Sequence, residues 1–329
     1  MLGVRHRQFI QSHLVAEKTE FEISGIQDSG NLGSKSDSKS GKFVGDDFVA
    51  IVPNGIIIIG DGVPPVHNAL ESTPYFGAYP YGLLPGLILE NIALTAREEE
   101  SAIDILKRAN ATLGELYKGL SLSPYTPHNR AGACFVIAKL GSESTELISG
   151  GDTIALWELV DGTYGWSKNQ VYEVDQARNK DFTYQMNRAT ADHGNAAPQV
   201  IWSDEYYGTC FRVSRDRFTN NPQELNSYPM LDGAPFSQIQ PLLQSVEFPT
   251  ASLKWLMLLT DGCFPVKWSE NMETLFHKFK ACIDSNLSSE DVFKFMRDAN
   301  QVSPASHTNE PELTFLVIKN LEFFNAYTE

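Results

Sequence analysis

The residues best suited to chemistry are aspartates standing where apolar runs begin or end. Asp46 and Asp47 precede Phe48-Val49-Ala50-Ile51-Val52, and Asp61-Gly62 follows Ile56-Ile57-Ile58-Ile59-Gly60. Between the two runs stands Pro53-Asn54-Gly55, and Asn-Gly between β-branched residues is a strong short-range hairpin signal. Strand pairing would bring the three carboxylates to one end of one sheet. Like charges gathered in this way repel unless water or a cation separates them, and hard oxygen donors suit Mg²⁺ or Mn²⁺. The competing reading is turn chemistry, because Asp-Gly is also an ordinary turn dipeptide. Repetition weighs against it. Leu258-Leu259-Thr260 ends on Asp261-Gly262, Gly151-Asp152-Thr153 stands between two apolar runs, and Leu313 to Ile318 is entered through Glu310-Pro311-Glu312.

The elements that must position these acids follow from periodicity. Glu20 to Gln27 alternates and reads as a first strand. Residues 29–41, rich in Ser, Gly, Lys and Asp, read as a flexible loop delivering Lys42 just before the acidic pair. Leu84 to Ala96 and Ser101 to Leu120 read as helices, the second with an apolar stripe through Ile103, Leu106, Leu113 and Leu116. Glu98-Glu99-Glu100 is expected on a solvated helix face. Gly132 to Ala138, Thr145 to Ile148, Thr153 to Val160 and the alternation through Tyr164 and Trp166 suggest an antiparallel meander. Val174 to Ala191 reads as a polar helix. Residues 196–236 are poorly periodic and are expected to form an insertion or flap over the site, with Arg212, Arg215 and Arg217 on a solvated surface. Leu253 to Thr260 is a buried strand, Met272 to Cys282 and Ser289 to Ala299 are helices, and Leu313 to Ile318 is the last strand.

Composition sets the bounds. The chain has 329 residues, 42% hydrophobic and 20% charged, which is ample for a buried core. A net charge of −15 argues against a nucleic-acid or anionic membrane partner and suits an acidic metal site. No apolar run is long enough to span a membrane, and residues 1–7 lack the apolar stretch of a secretory signal. Cys134, Cys210, Cys263 and Cys282 are widely spaced, so neither a zinc site nor a disulfide framework is expected, and a reducing cytoplasm is the default. The chain is read as one domain over residues 1–329 and as a monomer.

The order of motifs resembles the metal-dependent serine/threonine protein phosphatases of the type 2C class. The resemblance rests on Asp46-Asp47, the strand ending in Asp61-Gly62, two helices, the Gly132 strand, Gly151-Asp152-Thr153, Thr260-Asp261-Gly262 and the terminal strand, from about residue 20 to 319. It implies an α+β fold, a four-layer sandwich of two antiparallel sheets flanked by helices. It implies two Mn²⁺ or Mg²⁺ ions, with a third possible. Asp61 would bridge them with the Gly62 carbonyl, Asp261 would hold one, Asp46 and Asp47 would act through waters, and Asp152 would hold further waters or the third ion. Asp61 and Asp261 would be the catalytic residues, and the reaction would be in-line attack on phosphorus by a metal-bridging water, with a phosphorylated protein as substrate.

Three positions depart from the family pattern. Lys42 stands where an arginine usually grips the phosphate, and it neutralises charge without a bidentate fork. Val63 replaces a common histidine, with His67 nearby. Pro311 falls where the last metal aspartate is expected, so Glu312 or Glu310 would have to supply that carboxylate. Two alternatives therefore stand beside the phosphatase: a catalytically weak homologue acting as a binding or regulatory module, and a hydrolase of a small phosphate ester.

Overall fold

The acidic hairpin folds as its residues dictate. In β3 (Phe48–Ile51) and β4 (Ile56–Val63) the register sets Phe48 opposite Gly60 and Ile51 opposite Ile57. The turn is closed by the Gly55 amide on the Val52 carbonyl at 3.1 Å, with Gly55 at φ +82°, a backbone region that costs glycine nothing. These positions come from a computed structural model that describes residues 7–16, 19–28, 46–65, 82–200, 206, 209–265, 271–301 and 312–325. The expected loop at 29–41, Lys42, His67, Glu310 and Pro311 lie outside the described residues.

The remaining strands are β1 (Arg7–Ala16), β2 (Thr19–Asp28), β5 (Gly132–Leu140), β6 (Ser144–Gly150), β7 (Ile154–Leu159), β8 (Tyr164–Trp166), β9 (Gln244–Pro249), β10 (Leu253–Leu259) and β11 (Leu313–Asn320). They form two antiparallel sheets, one in the order β1-β2-β11-β10-β7-β8 and one in the order β3-β4-β5-β6-β9. The inner faces meet through Ile57, Ile59, Val136, Ala138 and Leu147 from one sheet and Ile23, Ala155, Leu256, Leu258 and Leu316 from the other. Alternation then sends the next residues outward. Ile56, Ile58, Phe135 and Ile137 pack beneath helices α1 (Leu83–Leu94) and α2 (Ala102–Gly119). Across the molecule, Leu156, Trp255, Met257, Phe315 and Val317 pack beneath the two helices near the C-terminus, Met272–Asp284 and Ser289–Gln301. The architecture is the expected one: helix, sheet, sheet, helix.

Local signals place the helices. Ser101 caps α2 through a reciprocal box, its hydroxyl accepting from the Asp104 amide at 3.1 Å while Asp104 accepts from the Ser101 amide at 3.3 Å. A polar helix α3 (Tyr172–His193) packs against α4 (Thr209–Phe218), with Arg178 over the Phe211 ring at 4.4 Å. In chain order Met272–Asp284 and Ser289–Gln301 are α5 and α6.

Several expectations are corrected. Strand β1 lies outside the expected set: it is an edge strand whose outward residues mix Gln11 and His13 with the exposed Phe9 and Val15, and only Leu14 and Ala16 are fully buried. The expected meander is divided, because β6 pairs with β5 and β9 in one sheet while β7 pairs with β10 and β8 in the other. Glu100 lies in a turn between α1 and α2 rather than on a solvated helix face; it is buried and bonds Arg108 at 2.7 Å. Within the stretch 196–236, Tyr228, Met230 and Leu231 are buried and Leu231 pairs with Ala133, so this part walls the core. Arg215 is buried, not solvated: it donates to the carbonyls of Pro64 (2.6 Å) and Arg130 (2.9 Å).

Candidate metal centre

The carboxylates of Asp61, Asp152 and Asp261 offer oxygens that all lie within 4.8 Å of one another. Each arrives on a different piece of chain. Asp61 lies near the end of β4, opposite Cys134 of β5. Asp152 occupies the bend where the chain leaves β6 for β7 and so passes from one sheet to the other. Asp261 follows β10 directly. The site is thus built where the two sheets come together at one end of the sandwich.

Glycines allow this closeness. Gly151 sits at φ +84°, and a side chain there would also run into the Cys134 sulfur, 2.2 Å from where its Cβ would stand. A Cβ on Gly262 would lie 1.6 Å from the Glu312 carbonyl oxygen, so only glycine lets the Asp261 turn pass the chain entering β11. From α6, Asn300 Nδ2 donates to the Gly262 carbonyl at 2.9 Å and holds that turn.

The electrostatics follow from the crowding. Burial pushes the Asp61 carboxyl well above its ordinary range, and the charges of Asp261, Asp47, Asp152 and Glu312 all push the same way. Burial is also the largest cause at Asp152, whose carboxyl is raised. The Asp261 carboxyl is pushed up to about 7, by loss of water first and then by Asp152 and Asp175. Asp261 is exposed at its outer side, whereas Asp61 is half-buried and Asp152 buried, so the cluster opens on one side. Among the described residues no lysine or arginine forms an ion pair with these three acids. Asp152 Oδ1 is buried without a hydrogen-bond partner. Hard oxygen donors, mutual repulsion and an orphaned carboxylate oxygen together fit a divalent cation.

The other residues singled out in the sequence are placed differently. Asp47 is buried and turned toward the opposite sheet: Thr260 Oγ1 donates to its Oδ2 at 2.9 Å, and Gln27 Nε2 donates to its carbonyl at 2.7 Å. Asp46 packs on the start of α1, where a Cβ at Gly82 would lie 2.7 Å from its Oδ1. Glu312 does not join the trio. Its Oε2 accepts from the backbone amides of Asp46 (2.7 Å) and Asp47 (3.1 Å), a link between the two sheets. Gly62 donates its amide to the Asp46 carbonyl at 3.1 Å, fixing β4 beside the acidic pair. Sequence reasoning missed Asp175, in the first turn of α3. Burial raises its carboxyl to about 6 against the pull of Arg178, and its charge reaches Asp261. An acid in the first turn of a polar helix looks like dipole compensation, so no local signal marked it.

No protein-family model and no curated protein matches the sequence. Solved structures are similar over nearly the whole chain. The serine/threonine phosphatase Stp1 from Staphylococcus aureus is 11% identical over 97% of this chain and 95% of its own, with a TM-score of 0.46. The Mycobacterium tuberculosis serine/threonine phosphatase PstP/Ppp is 10% identical over 96% and 99%, with a TM-score of 0.46. RsbX in complex with magnesium is 9% identical over 94% and 100%, with a TM-score of 0.41. These include phosphatases of the class that the order of motifs resembles; at such identities and scores nothing of the reaction is carried over from them.

Proposed function

We propose that this chain is a metal-dependent phosphatase acting on phosphoserine or phosphothreonine of a protein. The observation that carries the reading is the trio Asp61, Asp152 and Asp261, three converging carboxylates with no ion pair to a cationic side chain among the described residues and with one buried oxygen unpartnered. Two Mn²⁺ or Mg²⁺ ions held there, with a third possible, would supply neutralisation of phosphoryl oxygens and a water acidic enough to attack phosphorus near neutral pH.

The chain's own residues prepare the site. Asp61, near the end of β4 and paired there with β5, would be the shared ligand, Asp261 would hold one ion, and Asp152 would hold further waters or the third ion. Asp47 and Glu312 act as fasteners, tying the entry of β3 to the ends of β10 and β11 and so fixing the distance between Asp61 and Asp261. The raised carboxyls give up their protons when a cation binds. Lys42, four residues before Asp46, is the candidate phosphate contact, acting as a point charge. Stereochemically the reaction needs no protein nucleophile, and the four cysteines fit that: all are buried and unoxidised, with Cys134 and Cys263 thiols pushed up by burial.

A second reading is favoured by one observation. Glu312, the carboxylate expected to replace the last metal aspartate, is engaged with backbone amides, so a weakened homologue that binds phosphorylated protein without turnover fits the same geometry. Hydrolysis of a phosphothreonine peptide with and without Mn²⁺ separates the two. Metal-dependent turnover that disappears in Asp61→Asn supports the enzyme. A folded, metal-binding protein that captures the peptide and never turns it over supports the binding module.

A further inference from the structure

The two sheets do not fill the space between them everywhere. A cavity of about 120 Å³ lies where β6 and β9 face β7 and β8, lined by Val136, Leu147, Ser149, Ala155, Trp157 and Trp166 among others. It lies farther along β6 and β7 than the acidic cluster, since Ser149 and Ala155 each stand three residues from Asp152, on either side of the bend. Ser245 lines the mouth and is exposed.

The lining is of two kinds. Val136, Leu147 and Ala155 belong to the inter-sheet core, and Trp157 adds ring surface, whereas the Trp166 ring packs on the outer face against Phe276. Trp157 is held by stacking on Phe248 at 6.3 Å between centroids. Against this apolar wall stands Ser149, 3% exposed, whose hydroxyl has no hydrogen-bond partner among the described residues. A buried hydroxyl left unpaired costs free energy that a ligand oxygen would recover. The polar groups around it are already committed. Ser167 Oγ accepts from the Ala155 amide at 2.8 Å, and the Gln244 side chain bonds the Lys168 amide (2.8 Å) and carbonyl (2.9 Å). The walls are therefore braced, and one polar atom in the cavity awaits a partner.

We propose that this cavity is a binding site for a single-ring aromatic molecule bearing one oxygen, the phenol class of ligand. At about 120 Å³ the cavity is somewhat smaller than the about 150 Å³ that accommodates benzene, but it opens at Ser245, so a single ring is the largest group it would take. The ring would lie against Trp157, and its oxygen would pair with the Ser149 hydroxyl. The site is separate from the acidic cluster and does not depend on the chemistry proposed there.

The test is titration of the full chain with phenol and, separately, toluene, followed by tryptophan fluorescence and saturation-transfer NMR. Saturable phenol binding is expected. Ser149→Ala keeps the ring space and removes the hydroxyl, so phenol affinity falls about fivefold, one hydrogen bond's worth, while toluene affinity does not fall. Ala155→Leu fills the space and weakens both ligands at least about tenfold, provided circular dichroism shows the native fold. No saturable phenol response in the folded wild type would overturn the proposal, leaving a cavity that holds water only. Equal losses of phenol and toluene in Ser149→Ala would overturn the role of the hydroxyl, and unchanged phenol binding in folded Ala155→Leu would place the ligand elsewhere.

Discussion

Two groups of charged side chains flank the end of β4 and the start of β5, and they are built on opposite plans. In one, Asp232 is buried with Arg130 at 2.8 Å, Asn220 Nδ2 donates to its other oxygen at 2.8 Å and the Ala234 amide adds a bond at 2.9 Å. Arg215 closes the assembly on the Arg130 and Pro64 carbonyls. Burial raises the Asp232 carboxyl, and every neighbour that bears on it pulls it back down. In the other group burial again raises Asp61, but there every neighbour pushes it further up. The fold thus neutralises a buried carboxylate where its task is structural. Where it gathers Asp61, Asp152 and Asp261 no ion pair forms among the described residues, and the one cation whose charge reaches the trio, Arg178 acting on Asp152, is paired with Asp175. That contrast, rather than acidity as such, marks the second group as a place for a cation.

The largest effect expected from breaking the comparison is at Asp232. Asp232→Ala leaves Arg130 buried without its partner and should cost about 3–5 kcal/mol, read from urea unfolding. Next comes the cation itself. Saturating Mn²⁺ should stabilise the wild type by about 2.7 kcal/mol at a hundred times its dissociation constant, with at least about half of that gain lost in Asp61→Asn.

The pH dependence should be smaller and of definite sign. The Asp261 carboxyl titrates near 3.8 when unfolded and at about 7 in the fold, so the native state keeps a proton that the unfolded chain gives up. Its contribution is present below about 3.8 and is lost as pH rises through about 7, and Asp61 and Asp152 shift in the same direction. The metal-free protein should therefore melt lower at about pH 8 than at about pH 5, and Mn²⁺ should narrow that gap. The smallest effect is also the most pointed. Without metal, Asp61→Asn relieves repulsion and should leave the melting temperature unchanged or raised, opposite in sign to Asp232→Ala.

The difference between the two groups also explains how much could be read from the sequence. Asp61, Asp152 and Asp261 are legible because each stands beside a turn residue at the edge of an apolar run, a local pattern that Asp46 and Asp47 share although they stand outside the trio. The two sheets and their outer helices were legible for the same reason, through alternation and capping. Sheet membership was not: only the bend at Gly150 to Thr153 decides that β6 and β7 part company, and it looks like any hairpin turn. The Arg130–Asp232 pair spans 102 positions along the chain, and Arg215 sits in a stretch with no period, so neither left a local trace. Glu312 shows the limit from the other side. It is an acid in the right place for a displaced ligand, yet its oxygen is turned to two backbone amides, partners no charge pattern reveals.

The most direct test of the central claim is calorimetric titration of the metal-free protein with Mn²⁺, alongside Asp61→Asn and Asp261→Asn. Saturable binding by the wild type with release of protons, weakened at least about tenfold in each variant, is the result predicted for carboxylates held apart for a cation. Absence of saturable binding in the folded wild type, or binding indifferent to both substitutions, would contradict it.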